Sequence, residues 1–391
     1  MECKPTGGVL SPILLILWLL TGAGCLHAIA SIICLIRYAG QTDDRPIAYP
    51  AVTILKPLHG DEPMLFENLS SVVEQDYPGR ITVVFGVGDR TDPAIQTVER
   101  LRRAYPERDL RLVIDPRRHG RNGKVSNLIN MSRDIDGEIV VLADSDMRVE
   151  ADYLSRVVGA LQQAGVGAVT CLYRGVSLPN LWSRLATGWV DGQFLPNVVL
   201  GLSLGLAKPC MGSTIALRRD TLTEIGGFMS FKDHLADDYE IGVAVRRLGL
   251  KVAVPAQPVL GHMSAATSLR ALLRQELRWN RTIRTVNFGG FVGSVVTHVL
   301  PFGILAVLAD GLHWRSIALL CLVIGLRMAL LFQVKRFVQK DTVELSLFVV
   351  RDLLSFAVFL GSFLPGSIDW RGHRLRVRPD GLLTAPDSTG P

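Results

Sequence analysis

Residues 9–36 contain no Lys, Arg, Asp or Glu, and no other feature restricts the fold of this chain as much. The stretch exceeds the roughly 20 apolar residues that cross a bilayer. In hydrocarbon every backbone polar group must be satisfied within the segment, so the stretch has to be helical. It is too long for the apolar core of a cleaved signal peptide and reads as an uncleaved anchor over residues 1–37, followed by Arg45. The positive-inside rule then places the polar middle of the chain in the cytoplasm.

Three more apolar stretches follow, at residues 288–312, 317–334 and 345–364. The last contains Arg351-Asp352, which reads as an ion pair that lipid does not tolerate without compensation. Three full spans would carry Arg371, Arg374, Arg376 and Arg378 to the far side of the membrane, against the same charge rule. The last stretch is therefore expected to be re-entrant or interfacial. That leaves membrane segments over 288–366 and a basic tail, 367–391, on the cytoplasmic side. The net charge of +6 is explained by basic residues flanking membrane segments, as suits anionic lipid. Surface adhesion is favoured over nucleic-acid binding. Cys25, Cys34 and Cys321 fall inside apolar stretches and no C-x-x-C pair occurs. Neither a disulfide framework nor a zinc site is expected.

Between residues 38 and 287 short β-branched runs alternate with helical patterns. Strands are expected at 51–55, 81–87, 110–114 and 139–143, with helices at 67–73, 94–105 and 125–134. Strict alternation of this kind implies right-handed βαβ units around a parallel sheet. No G-x-G-x-x-G follows the first strand, so a dinucleotide-binding domain is disfavoured.

The fourth expected strand runs into Asp144-Ser145-Asp146, at the carboxyl end where open α/β sheets bind ligands. Two carboxylates one residue apart can hold a hard divalent cation that bridges to substrate phosphates, although an Asp-Ser-Asp turn without metal is also common. Asp89 and Asp92 follow the second strand and can accept hydrogen bonds from a base or ribose, while Asp92 equally suits a helix cap. Lys124 sits by a glycine-flanked turn near a helix start, a setting for an anion or for a plain solvated turn. Asp237, Asp238 and Glu240 open another helix, where acids complement the helix dipole or one serves as general base. Farther on, Ser268 reads as the cap of a helix through Trp279. Its Arg274, Arg278 and Arg281 form a basic stripe suited to lipid or to a diphosphate.

Taken in order, an Asp loop, D-x-D, Asp238 and Gln275-Glu276-Leu277-Arg278-Trp279 resemble the processive-type family-2 glycosyltransferases. The resemblance is closer to the ceramide glucosyltransferases and their bacterial relatives. It includes residues 54–60 (ILKPLHG), Asp92-Pro93-Ala94-Ile95, Asn122-x-Lys124-x-x-Asn127 and a tail like residues 368–374. Three segments, residues 169–175, 213–219 and 235–239, are most similar to the hopanoid-biosynthesis glycosyltransferases of bacteria.

This resemblance implies a GT-A fold, an α/β Rossmann-like domain with a mostly parallel sheet, over residues 38–287 in the cytoplasm. It implies inverting transfer of N-acetylglucosamine from a uridine diphosphate donor to a lipid hydroxyl at the bacterial inner membrane. Bacteriohopanetetrol is the first acceptor to consider and ceramide, with a glucose donor, the second. Asp238 would be the catalytic base. Asp144 and Asp146 would hold Mg²⁺ or Mn²⁺, and Asp89, Asp92, Lys124, Asp144, Gln275, Arg278 and Trp279 would bind the donor. A non-catalytic membrane receptor or transporter subunit is the rival class, but it leaves the carboxylates at successive strand ends unexplained.

Overall fold

A computed structural model describes residues 11–41, 45–339, 346–364, 368–370, 373–377 and 382–384. The uncharged stretch forms one helix, α1 (Pro12–Ala39), capped by the Ser11 hydroxyl. The alternating region follows as β1 (Val52–Pro57), α2 (Leu65–Val73), β2 (Ile81–Val87), α3 (Ala94–Ala104), β3 (Asp109–Ile114), α4 (Gly123–Met131) and β4 (Ile139–Leu142). Next come β5 (Met147–Arg148), α5 (Tyr153–Leu161), β6 (Val166–Thr170), β7 (Tyr173–Ser177) and α6 (Leu181–Trp189). A π-helical turn, Val190–Phe194, joins α6 to α7 (Leu195–Ser203). The domain ends with β8 (Ile215–Arg218), α8 (Arg219–Glu224), α9 (Asp237–Arg247), β9 (Lys251–Ala253), β10 (Leu260–Ser264) and α10 (Leu269–Val286).

The main sheet has the order β3-β2-β1-β4-β8-β6-β9. Strands β3, β2, β1 and β4 are parallel, as the alternation predicts. Strand β8 is antiparallel to both β4 and β6, so the sheet is mostly rather than wholly parallel. Strands β5, β10 and β7 form a small second sheet beside it. Successive residues of each central strand alternate between two cores. Val52, Ile54, Val83, Phe85, Ile139 and Val141 face one of them. Leu55, Val84, Val140 and Leu142 face the other. Each such buried side chain contributes about 1.5–3 kcal/mol, and helices cover both faces, which is why the strands read as unbroken apolar runs. Strand order reverses between β1 and β4. The carboxyl ends of those two strands are therefore where a ligand crevice opens.

After α10 the chain forms α11 (Phe288–Gly293), α12 (Val299–Ala309), α13 (Trp314–Val338) and α14 (Phe348–Gly361). Among the described residues, α1 and α13 are the helices long and apolar enough to cross a membrane unaided. The stretch 288–312 is not one straight helix: its two halves meet at 56°, so it is a broken span or a re-entrant loop. Helix α14 has 14 residues, fewer than the roughly 20 that cross a bilayer unaided. Arg351 and Asp352 do not pair with each other. Arg351 forms a two-pronged pair with Glu276 of α10 at 2.7 and 2.8 Å. Asp352 takes Arg327 of α13 in the same way, at 2.7 Å on each prong.

The tail residues Arg371 and Arg378 lie outside the described residues. Backbone strands are described at Ile368–Trp370, His373–Val377 and Leu383–Thr384. The last returns to the α/β domain: Leu383 N–H donates to Asp233 O at 2.9 Å, and the Arg121 guanidinium donates to Leu383 O at 2.6 Å.

Removing one partner of a buried ion pair strands the other charge, at a cost of about 3–5 kcal/mol. Arg351→Met is therefore expected to lower the melting temperature of the detergent-solubilised protein markedly. The double variant Arg351→Met/Glu276→Met should recover most of that loss. A double variant no more stable than Arg351→Met would show that the pair does not join α10 to α14.

Candidate active site

Three strand ends and two helix starts build the cleft. The β-branched run of β1 carries Lys56 to its end, where the fully buried ammonium donates to Asp144 O at 2.6 Å. Loss of hydration lowers its pKa to about 8, against the opposing pull of Asp144. The same loop is fixed by a Ser145 hydroxyl that donates to Glu62 at 2.6 Å and by Met263 N–H donating to Asp146 O at 2.9 Å. With its backbone held at both ends, the loop aims the carboxylates of Asp144 and Asp146 into the cleft.

Asn122 organises the opposite wall. Its side-chain oxygen accepts from Val125 N–H at 3.0 Å and so caps α4. Its amide nitrogen donates to His234 O at 2.9 Å and to Asp237 Oδ1 at 3.1 Å. One side chain thus ties the start of α4 to the start of α9. Lys124, in the first turn of α4, reaches Asp144 Oδ1 at 2.6 Å and Asp237 Oδ2 at 3.9 Å. Although burial disfavours its charge, Asp144, Asp237 and Asp238 together raise the Lys124 pKa. The lysine stays protonated.

Asp238 accepts from Gly212 N–H at 2.9 Å and from Tyr239 N–H at 2.8 Å. Burial, and then the neighbouring Asp237, raise its pKa to about 6 against the pull of Lys124. Gly212 marks the point where the groups converge. A Cβ there would lie 3.1 Å from Lys124 Nζ, 3.2 Å from Asp144 Oδ2 and 3.3 Å from Asp238 Oδ2. Glycine keeps that space open.

Beyond Asp146 the wall is aromatic. His262 Nε2, on β10, lies 3.3 Å from Asp146 Oδ2. Burial alone would lower the His262 pKa, but Asp146 outweighs it and raises it. Trp279 stacks on Trp189 with centroids 5.2 Å apart and lies 5.7 Å from His262. The end of the Gln275–Trp279 motif therefore reaches the Asp146 side of the cleft. Gln275 and Arg278 are half-buried on the same helix.

Asp89 and Asp92 stand apart from this cluster, at the end of β2. Asp89 is exposed, and bonds from the Thr91 N–H and hydroxyl, both at 2.8 Å, lower its pKa. Asp92 is buried, with its carboxylate accepting from Gly60 N–H at 3.0 Å and Ala94 N–H at 2.9 Å. It starts α3 and fastens the left-handed Gly60 turn after β1 (φ 76°).

Among the described residues, no three His, Cys, Asp or Glu side chains already converge on one point as a metal cluster. Two observations nevertheless fit a divalent cation. Asp146 Oδ1 is buried without any hydrogen-bond partner, and the pair supplies the oxygen donors that Mg²⁺ or Mn²⁺ prefer. Burial raises the pKa of Asp144, while for Asp146 His262 overcomes burial and lowers it. Lys56, Asn122 as a hub, Gly212, Trp189 and His262 were not singled out as site residues from sequence. Asn122 stands in the Asn-x-Lys motif, but a lone Gly-His-Met in a short strand carries no spacing signal.

The chain matches Glycosyl transferase family 21 over residues 16–383. Ceramide glucosyltransferase 3 of Caenorhabditis elegans is 23% identical over 357 residues, covering 86% of this chain and 75% of that protein. Beta-monoglucosyldiacylglycerol synthase of Synechocystis is 25% identical over 273 residues, covering 68% and 55%. Among solved structures, a mannosyltransferase from Pyrobaculum calidifontis, in complex with GDP-Man and Mn²⁺, is 22% identical with a TM-score of 0.51. It covers 90% of this chain and 98% of its own. This likeness shows a GT-A-like fold.

Gly212→Ala places a methyl group among Lys124, Asp144 and Asp238. Overpacking of this kind typically costs about 1–3 kcal/mol, here directed at the cleft. Nucleotide-sugar affinity measured by calorimetry should fall about tenfold or more, a larger effect than the loss of stability that overpacking brings. Unchanged affinity would mean that the donor does not use this space.

Proposed function

Because the chain belongs to glycosyl transferase family 21, we propose that it is an inverting membrane transferase of a specific kind. It moves N-acetylglucosamine from UDP-N-acetylglucosamine to a hydroxyl of bacteriohopanetetrol at the bacterial inner membrane. The observation that carries the mechanism is the convergence of Lys124, Asp144 and Asp238 on the space kept open by Gly212. The donor and acceptor follow from the resemblance of residues 169–175, 213–219 and 235–239 to the hopanoid-biosynthesis group. In this reading residues 1–37 anchor the chain, 38–287 form the cytoplasmic catalytic domain, 288–366 return it to the membrane and 367–391 form the tail.

Inversion requires a base on one side of the anomeric carbon and a stabilised leaving group on the other. Asp238 is the base. A carboxylate with a pKa of about 6 is largely ionised at neutral pH yet basic enough to take a proton from an attacking alcohol. Lys124 is held cationic beside it and faces the diphosphate, together with Arg278 from the middle of α10. Asp144 and Asp146 would hold Mg²⁺ or Mn²⁺, which when bound supplies positive charge against that developing on the diphosphate. Trp279 packs against the sugar or acceptor. Asp89 and Asp92 shape the uridine end, Asp92 through the turns it fastens and Asp89 from the rim. Gln275 supports the same helix.

Ceramide with a glucose donor is the second reading, favoured by the C. elegans relative that spans most of the chain. Membranes containing the protein, incubated with UDP-N-acetylglucosamine and bacteriohopanetetrol and separately with UDP-glucose and ceramide, decide between them by product mass. Glucosylceramide alone would overturn the hopanoid assignment.

Asp238→Asn keeps the hydrogen-bonding shape and removes the proton acceptor. Transfer should fall about a hundred- to ten-thousandfold with donor affinity nearly unchanged. Wild-type turnover should be flat above the pKa of Asp238 and decline as pH falls through about 6, since protonation silences the base. A variant with full activity, or a rate independent of pH across that range, moves the base elsewhere.

Removing divalent cations tests the carboxylate pair. Transfer should stop in excess chelator and return with Mg²⁺ or Mn²⁺, and Asp146→Ala should weaken donor binding more than it lowers the melting temperature. Full activity in chelator would take the cation out of the mechanism.

A further inference from the structure

Strand β7 begins at Tyr173, whose ring stacks on Phe194 with centroids 4.5 Å apart and planes 25° from parallel. Phe194 lies 5.8 Å from Trp189, and Trp189 lies 5.2 Å from Trp279. His262 closes the arc, 5.6 Å from Tyr173 and 5.7 Å from Trp279. Five rings brace one another beside the cleft, and one of them carries a hydroxyl with no task in the fold. A tyrosine hydroxyl withdrawn from solvent usually finds a hydrogen-bond partner. Those of Tyr38, Tyr77, Tyr105 and Tyr153 each have one. Tyr173 is half-buried, and among the described residues nothing hydrogen-bonds its hydroxyl.

Two sets of bonds fix where Tyr173 sits. On one side the chain leading into β7 is tied to the Gly212 loop. Met211 N–H donates to Thr170 Oγ1 at 2.9 Å, and the Ser213 hydroxyl donates to Cys171 O at 3.1 Å. Gly212, between those two, holds Asp238 through its own N–H. On the other side β7 pairs with β10, Leu260 opposite Tyr173 and His262 opposite Gly175. The His262 ring that leans on Tyr173 lies 3.3 Å from Asp146 through its Nε2. Tyr173 thus stands between the base and the second carboxylate of the Asp-Ser-Asp loop. Burial, and then the charges of Asp238, Asp146 and Asp144, raise its pKa. The phenol stays neutral and keeps a proton to donate.

The arc is joined to the membrane helices by the π-helical turn, a type of turn that recurs at functional sites. Phe194 ends that turn, and within it Gly192 O accepts from Arg327 of α13 at 3.2 Å. With the diphosphate on the Lys124 side, an alcohol arriving from lipid meets the aromatic side. We propose that Tyr173 contacts the acceptor, its hydroxyl donating a hydrogen bond to the oxygen of the lipid alcohol while that alcohol donates to Asp238. The oxygen is held by two groups and keeps one lone pair for the anomeric carbon. As the new C–O bond forms, the alcohol proton passes to Asp238 and the bond from the anomeric carbon to the diphosphate oxygen breaks. Tyr173 retains its own proton throughout. The inference rests on the lipid-transferase reading above and adds a substrate-contacting group to it.

The test uses the full chain in detergent–lipid micelles, with bacteriohopanetetrol and UDP-N-acetylglucosamine, and ceramide and UDP-glucose, as substrate pairs. Tyr173→Phe keeps the ring and its stack and removes the hydroxyl alone. Losing one hydrogen bond of this kind is expected to raise the acceptor KM about tenfold. Donor affinity by calorimetry and the melting temperature should stay near wild type. Tyr173→Leu also breaks the stack and should lower the melting temperature as well, which separates the share of the ring from that of the hydroxyl. An acceptor KM in folded Tyr173→Phe equal to that of wild type overturns the role. A fall in donor affinity in Tyr173→Phe also overturns it, because the hydroxyl would then bind the nucleotide sugar. Absence of transfer to either lipid by wild type would instead sink the lipid-transferase assignment itself, and this contact with it.

Discussion

Two adjacent residues of α14 hold the catalytic domain to its membrane helices. Arg351 turns toward α10 and pairs with Glu276, while also donating to Leu185 O of α6 at 3.1 Å. Asp352 turns toward α13 and pairs with Arg327, which in turn grips the carbonyl of Gly192. Each of the four charged side chains is almost fully buried. Buried charges stabilise only when their geometry and remaining hydrogen bonds are complete, and here both pairs are two-pronged and further bonded. Their gain is in specificity more than stability. The α10 helix that carries Arg278 and Trp279 is seated where Arg351 neutralises the buried Glu276.

That constraint propagates to the chemistry. Trp279 lies one helical turn beyond Glu276, close enough to share a face with it, and stacks on Trp189 at the start of the π-helical turn. Fixing α10 therefore fixes the aromatic wall beside His262 and Asp146. On the far side of the cleft Asn122 performs the equivalent task, capping α4 while holding Asp237 at the start of α9. Lys124 at the start of α4 and Asp238 at the start of α9 are thus positioned by one amide. Both walls are rigid where they meet the reacting groups, as electrostatic preorganisation requires.

Much of this was legible in the sequence, and the limits have physical causes. The runs at 81–87 and 139–142 are β-branched, continuous and bounded by turn residues, so strand type and position followed directly. The parallel order of β1 to β4 followed from their alternation with helices. Strand β8 was not readable as antiparallel, because four residues with both faces buried carry no directional signal. Asp144, Asp146, Lys124 and Asp238 were recognisable because each ends a strand or opens a helix, and the structure brings Lys124, Asp144 and Asp238 around one glycine. Asp92 illustrates the opposite: capping and ligand binding leave the same trace in a sequence, and here the carboxylate is taken by backbone N–H groups. Arg351-Asp352 was misread as an internal pair. Neighbours on a helix point about 100° apart and cannot face each other, so their partners had to come from elsewhere in the chain.

The tail closes the same logic from the other end. Leu383 is buried, and its backbone bonds to Asp233 and to the Arg121 side chain. Asp233 also accepts from Arg121 N–H at 2.9 Å, and Lys232 O accepts from Asn122 N–H at 2.8 Å. The last described strand is thus stitched to the two loops that lead into α4 and α9, the helices that carry Lys124 and Asp238. A chain anchored at α1 and returned through α11 to α14 has its catalytic domain restrained against the bilayer. The tail then restrains the side of that domain on which α4 and α9 begin. Holding both leaves the cleft little freedom to move relative to the membrane, the geometry needed when a soluble sugar nucleotide must meet an alcohol that cannot leave the lipid.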